Sequence, residues 1–155
     1  MVLAILLPLP YSEKRCLPIA IYHMSIKIIS RGKGKSAVAA AAYRAGEKIT
    51  NERDGITHDY TRKQGVDWSN VFLPDNAPPE YRDRATLWNA VEKIEKASNS
   101  QFAREIQVAL PKELSYFQNK GLVNEFLKNN FVSKGMIADI ALHNMKGIIP
   151  TLISC

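Results

Sequence analysis

The chain has 155 residues, enough for one domain with a sizeable core and with no need of a second. Its 21 Lys and Arg against 15 Asp and Glu leave a net charge of +6, which favours a polyanionic partner, nucleic acid ahead of an anionic membrane surface. Cys16 and Cys155 stand near opposite ends without ligand spacing, which argues against a disulfide framework or a cysteine-held zinc and fits a reducing cytoplasm.

The first ten residues are apolar but lack a basic leading region and are too short to cross a bilayer, so no targeting signal is read there. From Ile19 to Ser30 the residues alternate, with Met24, Ile26 and Ile28 on one face and Ser25 and Lys27 on the other, as in a half-buried strand. Next comes Arg31-Gly32-Lys33-Gly34-Lys35-Ser36, cations interleaved with glycines. Such a backbone can approach a phosphate closely, and Ser36 caps a helix whose free N–H groups also favour anions. Arg31, Lys33 and Lys35 are candidate phosphate contacts, with solvated surface charge as the other reading. The alanine run to Ala45 has high helix propensity, Gly46 suits its stop, and Tyr43 stands one turn above Ala39 and Ala40. From composition alone, Tyr43 is an aromatic at the edge of the core with its hydroxyl satisfied.

Asn51 to Lys63 is rich in charge and turn formers, with Asp54-Gly55 as a hairpin turn, and Val66 to Leu73 follows as a short strand. The prolines of residues 74–79 punctuate the chain before an amphipathic core helix carrying Ala85, Leu87, Trp88, Val91 and Ile94. In residues 101–110, Phe102, Arg104, Ile106, Val108 and Leu110 share one strand face, while Ala103, Glu105 and Gln107 share the other, read as polar. Leu114, Phe117, Leu122, Phe126 and Leu127 mark a helix to about Asn130. Met136 to His143 is a further strand, with Asp139 and His143 on the face opposite Met136, Ala138, Ile140 and Leu142. Strands separated by helices, with neighbours able to pair antiparallel, predict a single α/β sandwich.

Four segments carry a more specific signal: Ala20-Ile21-Tyr22-His23-Met24-Ser25-Ile26-Lys27, the loop and helix of residues 31–46, the run from Glu52 to Lys63, and Arg104 to Pro111. In this order they resemble the N-terminal relaxase domain of the MobA/MobL plasmid mobilisation family. The resemblance implies an α/β (α+β) fold, a two-layer relaxase-like sandwich with a mainly antiparallel sheet, packed helices and an incomplete C-terminus. It implies a DNA-nicking tyrosine transesterase that cuts one strand of plasmid DNA at the transfer origin, leaving a 5′-phosphotyrosyl link and a free 3′-hydroxyl. By position in the motif, Tyr43 is the nucleophile. Three histidines of the family hold a divalent ion, Mg²⁺ or Mn²⁺, at the scissile phosphate. The first matches His143, although a lone histidine at a strand end is otherwise an ordinary surface or core residue. Glu105 is a candidate to orient the nucleophile or a metal-bound water. Gln107 stands where the family often has a second acid. His58 and Tyr60 fall in a matched segment and are assigned only to fold or DNA contact. The implied partners are single-stranded plasmid DNA and accessory mobilisation proteins, with no membrane.

The resemblance breaks at the end. The second and third histidines belong at positions 151 and 153, which hold Thr151 and Ile153, and neither replaces imidazole. Writing the family's Asn-Pro-His-Ala-His-Ile-Met motif as AAT CCC CAC GCT CAT ATC ATG CTG A and shifting by one base gives Ile-Pro-Thr-Leu-Ile-Ser-Cys and a stop, the sequence from Ile149 to Cys155. The expectation is a frameshift near Gly147. Residues 1–18 then form an upstream extension outside the fold, 19–147 a partial relaxase domain, and 148–155 an out-of-frame tail. Metal binding and nicking should be weak or absent, because losing two direct ligands should cost more than the 10- to 100-fold typical of the residues behind them. The missing strand should leave an exposed sheet edge, and with it instability, unless the β-branched tail pairs there. The alternatives are a metal-independent single-strand DNA-binding module and a non-functional fragment.

Overall fold

The computed structural model of the protein describes residues 23–143 and the backbone of 151–154. In chain order its elements are β1 (Met24–Ser30), α1 (Ala37–Ala45), β2 (Lys48–Thr50), β3 (Thr57–Asp59), β4 (Val66–Phe72), α2 (Arg84–Ile94), β5 (Gln101–Val108), α3 (Tyr116–Asn130), β6 (Ala138–His143) and β7 (Thr151–Ser154). The expected upstream extension of residues 1–18 and the proposed frameshift point at Gly147 lie outside the described residues.

The main sheet has the order β1-β5-β7-β6-β4, with each neighbouring pair antiparallel, and β2 and β3 form a separate hairpin. The mainly antiparallel sheet with packed helices is the architecture expected. The last strand is not left out of it: Thr151–Ser154 pairs with β5 on one side and β6 on the other, at the centre of the sheet. The β-branched Thr151 and Ile153 suit that place.

Helices cover both sheet faces because β6 alternates. Ala138, Ile140 and Leu142 pack with Val123 and Leu127 of α3. Asp139, one residue out of step, meets Arg84 and Trp88 of α2 on the opposite face. The α1–α2 layer buries Ala37, Val38, Ala41 and Ala42 against Ile29, Val71, Leu87 and Trp88. Methyl side chains let α1 lie close to the sheet and to α2.

Three expectations of facing differ. Met24, Ile26 and Ile28 were read as one face of a half-buried strand, yet they are 42, 59 and 38% exposed, and Ile29 is the buried residue. β1 is an edge strand, beyond the apolar cluster that α3 covers. Phe117, Leu122 and Phe126 of α3 are likewise exposed, and Asn119, Val123 and Leu127 are its buried stripe. On β5 the face read as polar buries Ala103 and Glu105, because α1 lies over it.

Candidate active site

α1 begins as its sequence directs. Ser36 Oγ accepts from Ala39 N at 3.1 Å and donates to Glu92 Oε1 at 2.7 Å, while Val38 N donates to the same carboxylate oxygen at 3.2 Å. Asn51 Nδ2 (3.1 Å) and Arg53 Nε (3.2 Å) reach Glu92 Oε2. The anion favoured at this helix N-terminus is thus the protein's own Glu92. Burial would raise its pKa, but the bonds from Ser36, Val38 and Asn51 and the charge of Arg53 bring it below the usual glutamate value.

The three loop cations are not equivalent. Arg31 is turned inward: its Nη2 donates to the Glu92 and Glu95 carbonyls at 3.0 and 2.6 Å, and its guanidinium lies 5.0 Å from the Phe102 ring centre. It caps the C-terminal end of α2. Lys33 belongs to a single 3-10 turn, with its side chain outside the described part, and Lys35 is exposed. A cleft of about 440 Å³ opens beside this end of α1, lined by Arg31, Arg53, Glu92, Lys93 and Lys96 among others.

Tyr43 sits at the other end of α1, 53% exposed. Gly46 ends the helix at φ 67°, where the left-handed backbone calls for glycine, and a Cβ there would also crowd Val66 Cγ2 at 3.3 Å. The Tyr60 ring meets the Tyr43 ring edge-on at 5.2 Å, and Lys63 Nζ lies 3.8 Å from the Tyr43 ring centre while donating to the Tyr43 carbonyl at 2.7 Å. Arg44, the next residue, turns under the helix to form an ion pair with Glu105 and donates to Ala40 O at 2.9 Å. Glu105 Oε1 accepts from Gln107 Nε2 at 3.0 Å, and Gln107 in turn accepts from Ser25 Oγ at 3.2 Å. Glu105 is therefore held by Arg44 and Gln107, without a direct bond to Tyr43.

His143 ends β6, half-buried and paired with Val66. Burial first, then the charges of Lys63 and Arg44, hold its pKa below the usual histidine value, with Asp67 opposing them. The groups flanking Tyr43 thus also act on His143. Thr151 is in register with Gln107 and Ala141, and Ile153 with Glu105 and Asp139. The two positions expected to hold imidazoles therefore pair beside Gln107 and Glu105, in the strand next to the one ending in His143. Among the described residues, no three His, Cys, Asp or Glu side chains come together to hold a metal ion. One imidazole beside two cations, with Glu105 already bound to Arg44, is a donor set that does not fit a divalent ion.

The MobA/MobL family matches residues 35–150, the span holding Tyr43, Glu105 and His143. The chain belongs to the MobA/MobL family. It is 48% identical over 124 residues to mobilization protein MobL of Acidithiobacillus ferridurans, covering 80% of this chain and 32% of that protein. With the conjugal transfer protein TraA of Rhizobium radiobacter it shares 44% over 138 residues, covering 83% of this chain and 12% of that one. The chain thus spans a third or less of the length of these two relatives. A solved structure described as the molecular basis of vancomycin resistance transfer in Staphylococcus aureus superposes with a TM-score of 0.80 at 36% identity, covering 87% of this chain and 69% of that one.

Tyr43, Glu105 and His143, singled out separately in the sequence, lie on the α1–α2 side of the sheet, whereas sequence reasoning gave no role to Arg44, Lys63, Arg84 or Glu92. Arg44 follows Tyr43 directly, and Lys63 lies in a segment already matched to the family. Arg84 is buried and bidentate on Asp139, from Nε at 2.9 Å and Nη2 at 2.8 Å, while Trp88 Nε1 donates to the same carboxylate at 2.8 Å and Glu47 pairs with Nη1. No helical spacing announces that network. A lone arginine at a helix start reads as surface charge until Asp139 is seen beneath it.

Proposed function

We propose that the chain is the strand-cutting module of a plasmid mobilisation relaxase, a tyrosine transesterase acting on single-stranded DNA at a transfer origin in the cytoplasm. The observation that carries this reading is Tyr43 itself: an exposed phenol at the end of α1, with Lys63, Arg44 and His143 at the same corner of the sheet. Its hydroxyl loses its proton as the oxygen attacks the scissile phosphorus, the bond to the 3′-oxygen of the preceding nucleotide breaks, that oxygen takes up a proton as the free 3′-hydroxyl, and the 5′-phosphate remains esterified to the ring. The Lys63 ammonium is placed to attract the phosphodiester. Lys93, Lys96 and Arg53, lining the cleft at the other end of α1, offer further cations to the backbone of a bound strand. The names of the relatives, mobilization and conjugal transfer proteins, support the substrate class.

In this chain the cutting step is lost, because Thr151 and Ile153 occupy two ligand positions of the intact family. The test is covalent capture. The chain, its Thr151→His/Ile153→His variant, and that variant with Tyr43→Phe are each incubated with a labelled single-stranded origin oligonucleotide and Mn²⁺, then resolved on a denaturing gel. The expected result is no adduct, an adduct, and no adduct. An adduct that survives Tyr43→Phe, or none in the histidine-restored chain, overturns the reading. Steep salt dependence of binding in the unmodified chain would favour the metal-independent DNA-binding reading for the protein as it stands.

A further inference from the structure

The turn after β3 is docked onto the end of α1 in a way that DNA contact does not require. Tyr60 N donates to Glu47 O at 3.1 Å, just past the helix, and Lys63 N closes the turn on Tyr60 O at 2.9 Å. That turn therefore carries two groups that touch Tyr43: the Tyr60 ring on its edge and the Lys63 ammonium over its face. Lys63 Nζ also donates to the Tyr43 carbonyl, in the last helical turn, where carbonyls lack intrahelical partners and a cation is favoured. Without such contacts, a half-exposed tyrosine in the last turn of a helix exchanges among the rotamers the helix allows.

We propose that Lys63 is the positioning residue for Tyr43, its ammonium bridging the Tyr43 carbonyl and ring so that the phenol is held in one side-chain rotamer before any DNA arrives. The functional meaning rests on the nicking reading; the geometry does not. Burial, then the Arg44 charge, lowers the Lys63 pKa. A tyrosine already in attack orientation needs no ordering at the moment of reaction.

The experiment is NMR on the unmodified full chain with isotope-labelled tyrosine, alongside Lys63→Met and Lys63→Arg. Three-bond couplings report the Tyr43 χ1 populations, and a nuclear Overhauser contact between the Lys63 ε-methylene and the Tyr43 ring reports the clamp. The expected result is a dominant rotamer and a visible contact in the unmodified chain. The rotamer ratio should fall about two- to fivefold in Lys63→Met and recover in Lys63→Arg, with the melting temperature nearly constant. An averaged Tyr43 in the unmodified chain, or a ratio unmoved by Lys63→Met, overturns the proposal, and the first of these is read even if a variant does not fold. No DNA is involved, so a fixed Tyr43 with no adduct in the histidine-restored chain refutes nicking and supports the clamp. A mobile Tyr43 that still forms adduct does the reverse.

Discussion

Both faces of the sheet carry an apolar cluster, but among the described residues only one of them also buries charge. Under α1 and α2 lie buried charges: Arg84 on Asp139, Arg44 on Glu105, and Glu92 receiving four donors. Under α3 the buried cluster is apolar, with Val123 and Leu127 on Ala138, Ile140 and Leu142. The difference teaches where specificity is kept. A buried ion pair adds little net stability over a well-packed apolar pair, but once one member is removed the other becomes a liability. The buried charges of the α1–α2 face therefore fix where α1, and Tyr43 with it, must sit, while the apolar clusters of both faces supply ordinary cohesion.

The largest effect should come from unpairing the polar face. Asp139→Ala leaves Arg84, 6% exposed, without its bidentate partner and Trp88 Nε1 without an acceptor; a loss of about 3–5 kcal/mol is expected from urea unfolding. Replacing both members, Arg84→Met with Asp139→Leu, should recover most of that loss, as a pair kept for placement predicts. If the double variant is as unstable as the single one, the pair is contributing net stability and the contrast between the faces fails.

On the other face, Leu127→Ala opens a cavity at a fully buried side chain and should cost about 2–5 kcal/mol. It should leave single-strand DNA affinity per folded molecule unchanged, measured by fluorescence anisotropy at a temperature where the variant is folded. A drop in affinity would mean that α3 also serves the binding face.

Glu92 gives a smaller effect with a pH signature. Its pKa in the folded chain lies below the ordinary glutamate value, so the stabilisation is present above that value and is lost as pH falls through the folded one. Glu92→Gln should cost about 1–3 kcal/mol at neutral pH, by leaving buried donors poorly met. The gap from the unmodified chain should narrow below about pH 4.3, where the unfolded glutamate is protonated. Thermal melts across that range check both the size and the sign.

Much of the fold was legible because local chemistry and tertiary structure agree. Ser36 and Gly46 bound α1 as caps should, Ser115 and Gln118 form a reciprocal capping box at α3, and alternation placed Asp139 and His143 opposite Ala138, Ile140 and Leu142. What was not legible is what another element must supply. The anion that α1 attracts is Glu92 from α2, and the cation beside Tyr43 arrives from a turn twenty residues on. Periodicity records which residues share a face, but not whether anything covers it. Phe117 satisfies the apolar pattern of α3 and is 81% exposed, whereas Asn119 breaks it and is buried, donating to the Pro111 and Leu114 carbonyls.

The smallest predicted effect tests that last point on β1. Ile26 and Ile29 are the same residue type in one strand, yet Ile26 is 59% exposed and Ile29 only 2%. Alternation assigned the inward face to Met24, Ile26 and Ile28, whereas the register pairs Ile26 with Ile106 on the side that α3 reaches only farther along the sheet. Ile26→Thr should therefore change stability by no more than about 0.5 kcal/mol, while Ile29→Ala costs about 2–5 kcal/mol. A loss above 2 kcal/mol for Ile26→Thr would show that this end of the edge strand is covered in solution, and the apolar face would then extend across the whole sheet. Equal and small losses at both positions would instead mean that β1 is not seated on the α1–α2 core.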